Sequence, residues 1–304
     1  MTTLHIACVV EGAYVRHTAA MLHSVLAHNR DARVHVHYLH GPRHPPRPAE
    51  RLRRWLAEQG ADTTFHVIDD ERVAGLPTTG FTGKATWYRI FLPELLAGEE
   101  RVLFLDADVI VCDRLDGLWE TDLRGAYLGA VTNVFEPEYA HRPAELGLRS
   151  VQDYFNAGVL LLDLDALGRD RCDRALYEYG VAHAGEEERS LLFRDQDVLN
   201  AVLAGRRLPL DPRWNVMNIF RFDWADAVFG ADAVAAARAN PGIRHFEGPG
   251  DNKPWHRECV RDDRERYLEH RRATPWPRVR LEGPRAPRLR RAAARVKGRL
   301  SGSR

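Results

Sequence analysis

The stretch 101-RVLFLDADVIVCDRLDGLW-119 decides how this chain is read. Residues 102–105 form an apolar run, Asp106-Ala107-Asp108 interrupts it, and Val109-Ile110-Val111 resumes it. A short apolar run of this kind reads as a buried strand. Residues two apart on an extended chain point the same way, so Asp106 and Asp108 are expected on one side of the strand's exit. They are either solvated strand-end acids or ligands for one divalent cation, and hard oxygen ligands suit magnesium or manganese.

On the amino-terminal side, LHIACVV (4–10) reads as a buried strand and residues 14–28 as a helix. VHVHYLH (34–40) alternates like a strand, prolines 42–48 break it, residues 49–59 read as a helix and TFHVID (64–69) as a strand. Alternating strands and helices predict an α/β domain with a largely parallel sheet. KATWYRIFLPELL (84–96) is expected to be helical up to Pro93. On the carboxyl side, AYLGAVTN (126–133), NAGVLLLDL (156–164) and IRHFEG (243–248) read as strands. DQDVLNAVLAG (195–205) reads as a helix with acids in its first turn, where they suit the macrodipole, and Gly205 as its stop.

Composition narrows the classes. At 304 residues with 44% hydrophobic residues, the chain can build one large core or two modest ones. No apolar run approaches the roughly 20 residues that cross a bilayer, and the first residues read as a core strand rather than a leader. Cys8, Cys112, Cys172 and Cys259 are scattered, which predicts reduced thiols and a cytoplasmic location. The net charge of +1 conceals a split: residues 278–304 carry ten Lys/Arg against Glu282 alone, leaving the rest near −8. Leu289, Ala293, Val296 and Leu300 make one apolar stripe in that tail. Such a helix suits an anionic membrane surface, a peripheral position on the inner face of the membrane, rather than nucleic acid.

Further along, His245 stands at a strand end and Lys253 in the glycine-containing loop that follows. An imidazole added to two carboxylates favours manganese, and a lysine can meet a diphosphate as a point charge. Together YRIFLPELL, FLDADVIV, YFNAGVLLLDL, RDQDVLNAVL, RWNVM and IRHFEGPGDNKPWH, in this order over residues 4–260, resemble glycosyltransferase family 8. The resemblance implies a GT-A fold, a Rossmann-like sandwich around a mixed central sheet spanning 1–270. Its nucleotide-sugar half would cover about 1–115 and its acceptor half about 116–270, with 271–304 a Pro/Arg-rich tail.

The resemblance further implies retaining transfer of a hexose from a nucleotide-diphosphate sugar to a glycan, lipid-linked or small-molecule acceptor. Asp106, Asp108 and His245 would ligate manganese, with magnesium the alternative. Gly248 and Lys253 would hold the β-phosphate, and Arg89 the diphosphate or sugar. Asn133, Asn156, Ala157, Asp195 and Gln196 would line the sugar pocket, and Val9, Glu11, Tyr14 and Ala107 the rest of the donor site. Gln196 falls near the place a glycosidase gives to its nucleophile. An amide is a poor nucleophile, so front-face attack is expected, with Asp197 the nearest carboxylate able to replace it after a shift.

The first loop departs from the family pattern A-A-D-x-N-Y: here it is 9-VVEGAY-14, with Glu11 for the aspartate and Ala13 for the asparagine. Glutamate can accept from uracil or from guanine, so UDP is expected first (as UDP-Gal or UDP-Glc) and GDP second. The loop from His245 to Lys253 is about two residues longer than the pattern and carries Asp251. Two other readings compete. A phosphatase with DxD after an apolar strand would place that motif near the start of the chain, followed by glycine and threonine. A catalytically degenerate nucleotide- or partner-binding relative would fit the changes at residues 11 and 13, but the retained DxD, DQD and His–Lys residues oppose it.

Overall fold

The computed structural model describes residues 3–78, 83–184, 191–248, 250–259 and 261–283. The apolar stripe expected at Leu289, Ala293, Val296 and Leu300, with its surrounding arginines, lies outside the described residues. Among the described residues, seven strands form one sheet in the order β3-β2-β1-β4-β7-β6-β8. They are β1 (Thr3–Val9), β2 (Arg33–His40), β3 (Asp62–Val67), β4 (Arg101–Leu105), β6 (Leu128–Ala130), β7 (Val159–Asp163) and β8 (Arg207–Pro209). β1 runs parallel to β2 and β4, and β2 to β3, while β7 runs antiparallel to both β4 and β6. A two-stranded ladder pairs β5 (Val109–Val111) with β9 (Ile243–His245).

Alternation along the strands sorts the core into two layers. Leu4, Ile6, Cys8, Val34, Val36, Leu103 and Leu105 pack on one side of the sheet, with the Val15–His28 and Pro46–Glu58 helices. Ala7, Leu39, Val102, Phe104, Leu160 and Leu162 pack on the other, against Trp87, Leu176 and Val198. The Arg261–Arg272 helix closes over Val15–His28, its Tyr267 hydroxyl 2.7 Å from His17 Nδ1. Trp255 stacks on the His17 ring at 3.6 Å. The mixed α/β architecture is the one the strand–helix order predicts, and none of the four cysteines is in a disulfide. Among the described residues no helix is long and apolar enough to cross a membrane.

Several boundaries differ from the sequence reading for identifiable reasons. Residues 84–96 fold as a 3-10 helix, Lys84–Phe91, running into a single turn, Leu92–Leu95, whose start takes Pro93. Trp87, Tyr88, Arg89, Ile90 and Phe91 are all buried, so no solvent-facing stripe selects a regular α-helix here. The strand expected over 126–133 keeps only Leu128–Ala130. Beyond it Thr132 pairs with Phe155, and Asn133 N–H donates to Tyr154 O at 2.9 Å, which peels the chain away from β7. Gly205 does not stop the Asp195–Leu203 helix, which tightens directly into a 3-10 turn, Ala204–Arg206.

Candidate active site

Two backbone seams build the site. β4 ends at Leu105, and the chain turns through Asp106-Ala107-Asp108 before β5 begins. The two carboxylates therefore converge across a turn, not along an extended strand as the sequence suggested. Asp106 N–H donates to Gly158 O at 2.9 Å, which ties the turn to the start of β7. On the other side Val109 pairs with His245, and Phe246 N–H donates to Asp108 O at 2.9 Å. Asp106, Asp108 and His245 thereby bring donor atoms within 4.8 Å of one another. Gly158 is required beside them, because a β-carbon there would stand 2.3 Å from His245 Cε1.

Fixed groups orient these side chains. His245 Nδ1 meets Asn215 Oδ1 at 3.0 Å, which leaves Nε2 facing Asp108 Oδ1 at 3.5 Å. Holding one ring nitrogen in this way selects the other for ligation. Asn215 Nδ2 donates to Asn156 Oδ1 at 2.9 Å and Asn156 Nδ2 to Asn133 Oδ1 at 3.2 Å, a buried amide relay behind the imidazole. Arg89 donates to Ala157 O at 2.6 Å and to Asp106 Oδ1 at 3.1 Å, reaches Asp195 at 3.4 Å, and lies over the Phe104 ring. Lys253, despite its longer loop, reaches Asp108 and donates to Phe246 O.

A cavity of about 430 Å³ opens over this cluster. It collects Val9, Glu11, Tyr14, Arg89, Asp106, Ala107, Asp108, Ala157, Asp195, Gln196 and Lys253, all expected from the sequence. Tyr14 is 46% exposed there, and the Glu11 carboxylate packs so closely on Gly83 that a β-carbon at 83 would overlap it. Asn133, Asn156 and Gly248 line instead a neighbouring cavity of about 460 Å³, with Tyr139, Asn218 and Phe222. Gln196 and Phe193 border both. The Gln196 amide is fixed at each end, accepting from Ala157 N–H at 3.0 Å and donating to Tyr154 Oη at 3.2 Å.

Asp197 lies outside both cavities. It is fully buried, and its carboxylate accepts from Arg142 Nη2 at 2.8 Å, Arg142 Nε at 3.2 Å, Tyr154 Oη at 2.7 Å and Phe193 N–H at 2.7 Å. The part expected for it as a stand-in nucleophile does not fit this setting, because all of its contacts hold the Gln196 segment from behind. Asn215, Tyr154, Arg142 and Phe193 were not singled out in the sequence. The motif RWNVM carried Asn215 and YFNAGVLLLDL opens on Tyr154, but no local pattern marks Arg142 or Phe193.

A model of the family described as glycosyl transferase family 8 matches residues 5–259. The chain belongs to glycosyl transferase family 8. General stress protein A of Bacillus subtilis (strain 168) is 26% identical over 278 residues, covering 90% of this chain and 94% of its own length. Lipopolysaccharide 1,3-galactosyltransferase of Salmonella typhimurium is 26% identical over 233 residues, 75% of this chain and 66% of its own. Among solved structures, the galactosyltransferase LgtC with donor and acceptor sugar analogues matches at a TM-score of 0.76 and 26% identity, over 95% of this chain and 99% of that one. The family 8 chain thus has a GT-A fold and is a nucleotide-sugar glycosyltransferase.

Electrostatics in the family 8 site follow from burial and charge. Burial alone would raise the Asp108 carboxyl, but the Lys253 ammonium and His245 outweigh it and hold it well below the usual range. Asp106 goes the other way, raised by burial that Arg89 only partly offsets. Burial likewise raises Asp195 to about 6, against the pull of Arg89. A carboxyl whose pKa is raised on folding holds a proton that the unfolded chain has lost, so its cost to stability grows as pH rises from about 4 to 6. Asp195→Asn is therefore expected to lose transferase activity while gaining clearly more thermal stability relative to wild type at pH 7.5 than at pH 4.5. Melting curves at the two pH values, without added metal, check the sign. An equal shift at both would show that Asp195 carries no such cost.

Proposed function

We propose that the protein is a metal-dependent, retaining hexosyltransferase that moves galactose or glucose from a UDP-sugar to a hydroxyl of a glycan, lipid-linked or small-molecule acceptor. The observation that carries this is the pair of cavities joined at Gln196, one with two carboxylates, an imidazole, a lysine and an arginine, the other lined by amides and aromatics. Two carboxylate oxygens and one imidazole suit manganese. Asp106, Asp108 and His245 would hold it, and it would supply Lewis-acid neutralisation of the donor's diphosphate.

The chain's own residues do the rest. Lys253 and Arg89 face the same cavity as the carboxylates, where their charges meet the phosphates without moving protons. Tyr14 offers a ring face to the base, and Glu11 an acceptor for its N–H groups. Asp195 and the Ala157 backbone hold sugar hydroxyls beside Gln196. The Gln196 amide, tied at both ends, positions the anomeric carbon and does not attack it. The bond from that carbon to the diphosphate breaks as the acceptor hydroxyl bonds on the same face, and its proton passes to the departing phosphate oxygen. Asn133, Asn156, Tyr139 and Phe222 would hold the acceptor.

Calorimetric titration with UDP and with GDP, each with manganese, tests the donor. UDP is expected to bind at least about tenfold more tightly, a difference of about 1.4 kcal/mol. Tighter GDP binding overturns the base assignment, and an absence of metal-dependent binding to either overturns the transferase reading. A hydrolysis screen of UDP-sugars then identifies the hexose.

A further inference from the structure

A second group of side chains able to hold a metal ion lies at the other end of the same strands. His5 pairs with His35 across β1 and β2, Ala7 with His37, and on the far side His37 with Thr64 and Leu39 with His66. Side chains of paired parallel residues share a sheet face, so His5, His35, His37 and His66 project together. Val9 of β1 lines the donor cavity. His5 stands four residues earlier, roughly 13 Å away at about 3.3 Å per residue.

Three of these imidazoles each have one nitrogen engaged by an outer partner. His5 Nε2 is 3.1 Å from Glu99 Oε2, His35 Nε2 is 2.8 Å from Thr64 Oγ1, and His37 Nδ1 is 3.3 Å from His66 Nε2. That leaves Nδ1 of His5, Nδ1 of His35 and Nε2 of His37 for an inner position. Two of them already face each other, His5 Nδ1 and His37 Nε2 at 3.0 Å. The His35 and His37 rings stack with centroids 4.3 Å apart, and one donor atom from each of the three residues lies within 4.8 Å of the others. A tetrahedral zinc ion with nitrogens about 2.05 Å away separates them by roughly 3.3 Å, so modest ring rotation suffices. Metal-bound imidazoles characteristically give their second nitrogen to a carboxylate or similar acceptor. His37 is buried, whereas His5 and His35 are half-buried, which gives an ion a way in.

We propose that His5, His35 and His37 form a zinc(II) site that clips β1 to β2, with Glu99 orienting His5 and a fourth position left to water. Three imidazoles select zinc and its later transition-metal neighbours over the magnesium or manganese suited to Asp106 and Asp108. Bound only by the folded chain, the ion stabilises it by mass action.

The test uses untagged full-length protein stripped with a chelator and titrated with zinc chloride, followed by calorimetry, metal content after desalting and melting temperature. An Asp106→Asn/Asp108→Asn variant removes the acidic site from the count and is expected to retain one zinc equivalent and a zinc-dependent rise in Tm. His35→Gln is expected to lose both. Glu99→Gln, a half-exposed position that should fold normally, is expected to bind about tenfold more weakly. Cobalt(II) should give the intense visible absorption of a four-coordinate site in the carboxylate variant, a readout that does not depend on any histidine variant folding. Loss of zinc from the carboxylate variant, affinity unchanged in His35→Gln and Glu99→Gln, or no cobalt band would each overturn the site.

Discussion

Asp108→Asn is expected to abolish metal-dependent nucleotide binding and to slow hexosyl transfer roughly 100- to 1,000-fold, the scale on which removal of one preorganised electrostatic group acts. Asp108 is the point at which His245 and Lys253 meet. Neutralising it removes one of the two carboxylates proposed to hold the metal and leaves the Lys253 ammonium, 13% exposed, without its carboxylate partner. Lys253 is raised in the wild-type protein because Asp108 outweighs the effect of burial. In the variant its pKa should fall, so the loss of transfer should deepen as pH rises from 7 to 9. Turnover at saturating donor and calorimetry with and without manganese give the measurement. A variant that binds UDP equally well in both conditions would remove Asp108 from the metal set.

The second large effect is expected behind the site. Arg142→Ala leaves Asp197, fully buried, without its two guanidinium hydrogen bonds. Breaking one partner out of a buried ion pair costs about 3–5 kcal/mol, because the remaining charge stays desolvated. Urea unfolding should show that loss, and Arg142→Ala/Asp197→Asn should recover part of it, since the uncompensated charge is gone. The same change reaches the chemistry through Tyr154, which bridges Asp197 and Gln196. Transfer rate should therefore fall more than donor affinity. An unchanged urea midpoint would contradict the role assigned to this pair, and restoration of activity by Arg142→Lys would show that charge without the fork geometry suffices.

How much was legible depends on the distance over which each feature is determined. The apolar run into Asp106 marks β4 because burial and acid both sit within eight residues, and VVEGAY, FNAG and RDQD were legible for the same reason. The turn geometry of Asp106-Ala107-Asp108 was not, because it is imposed by Gly158 and Phe246, more than 50 and 130 residues later. Arg142 carries no local signature, Tyr154 only opens the motif YFNAG, and the meaning of both is a shared contact with Asp197. The shortened β6 reflects competition from Tyr154 and Phe155 for its backbone, a tertiary effect that propensity does not contain. In VHVHYLH the alternation gave the strand correctly, but what its histidines face became visible only once β1 and β3 lay on either side.

The reversed direction of β7 bears on how this catalyst can be re-engineered. Running against β4, it brings residues 156–158 to the same end of the sheet as the DxD turn, where Asp106 N–H and Gly158 O lock the two together. Insertions in that seam would shift the DxD turn and the amide relay at once, so a library should leave it untouched. Val134, Phe135, Glu136, Tyr139, Asn218, Ile219, Arg221 and Phe222 line the second cavity and not the first, and their segments end in no shared ladder. On the proposed reading of that cavity as the acceptor site, diversity placed there can explore new acceptors while the DxD turn keeps its geometry.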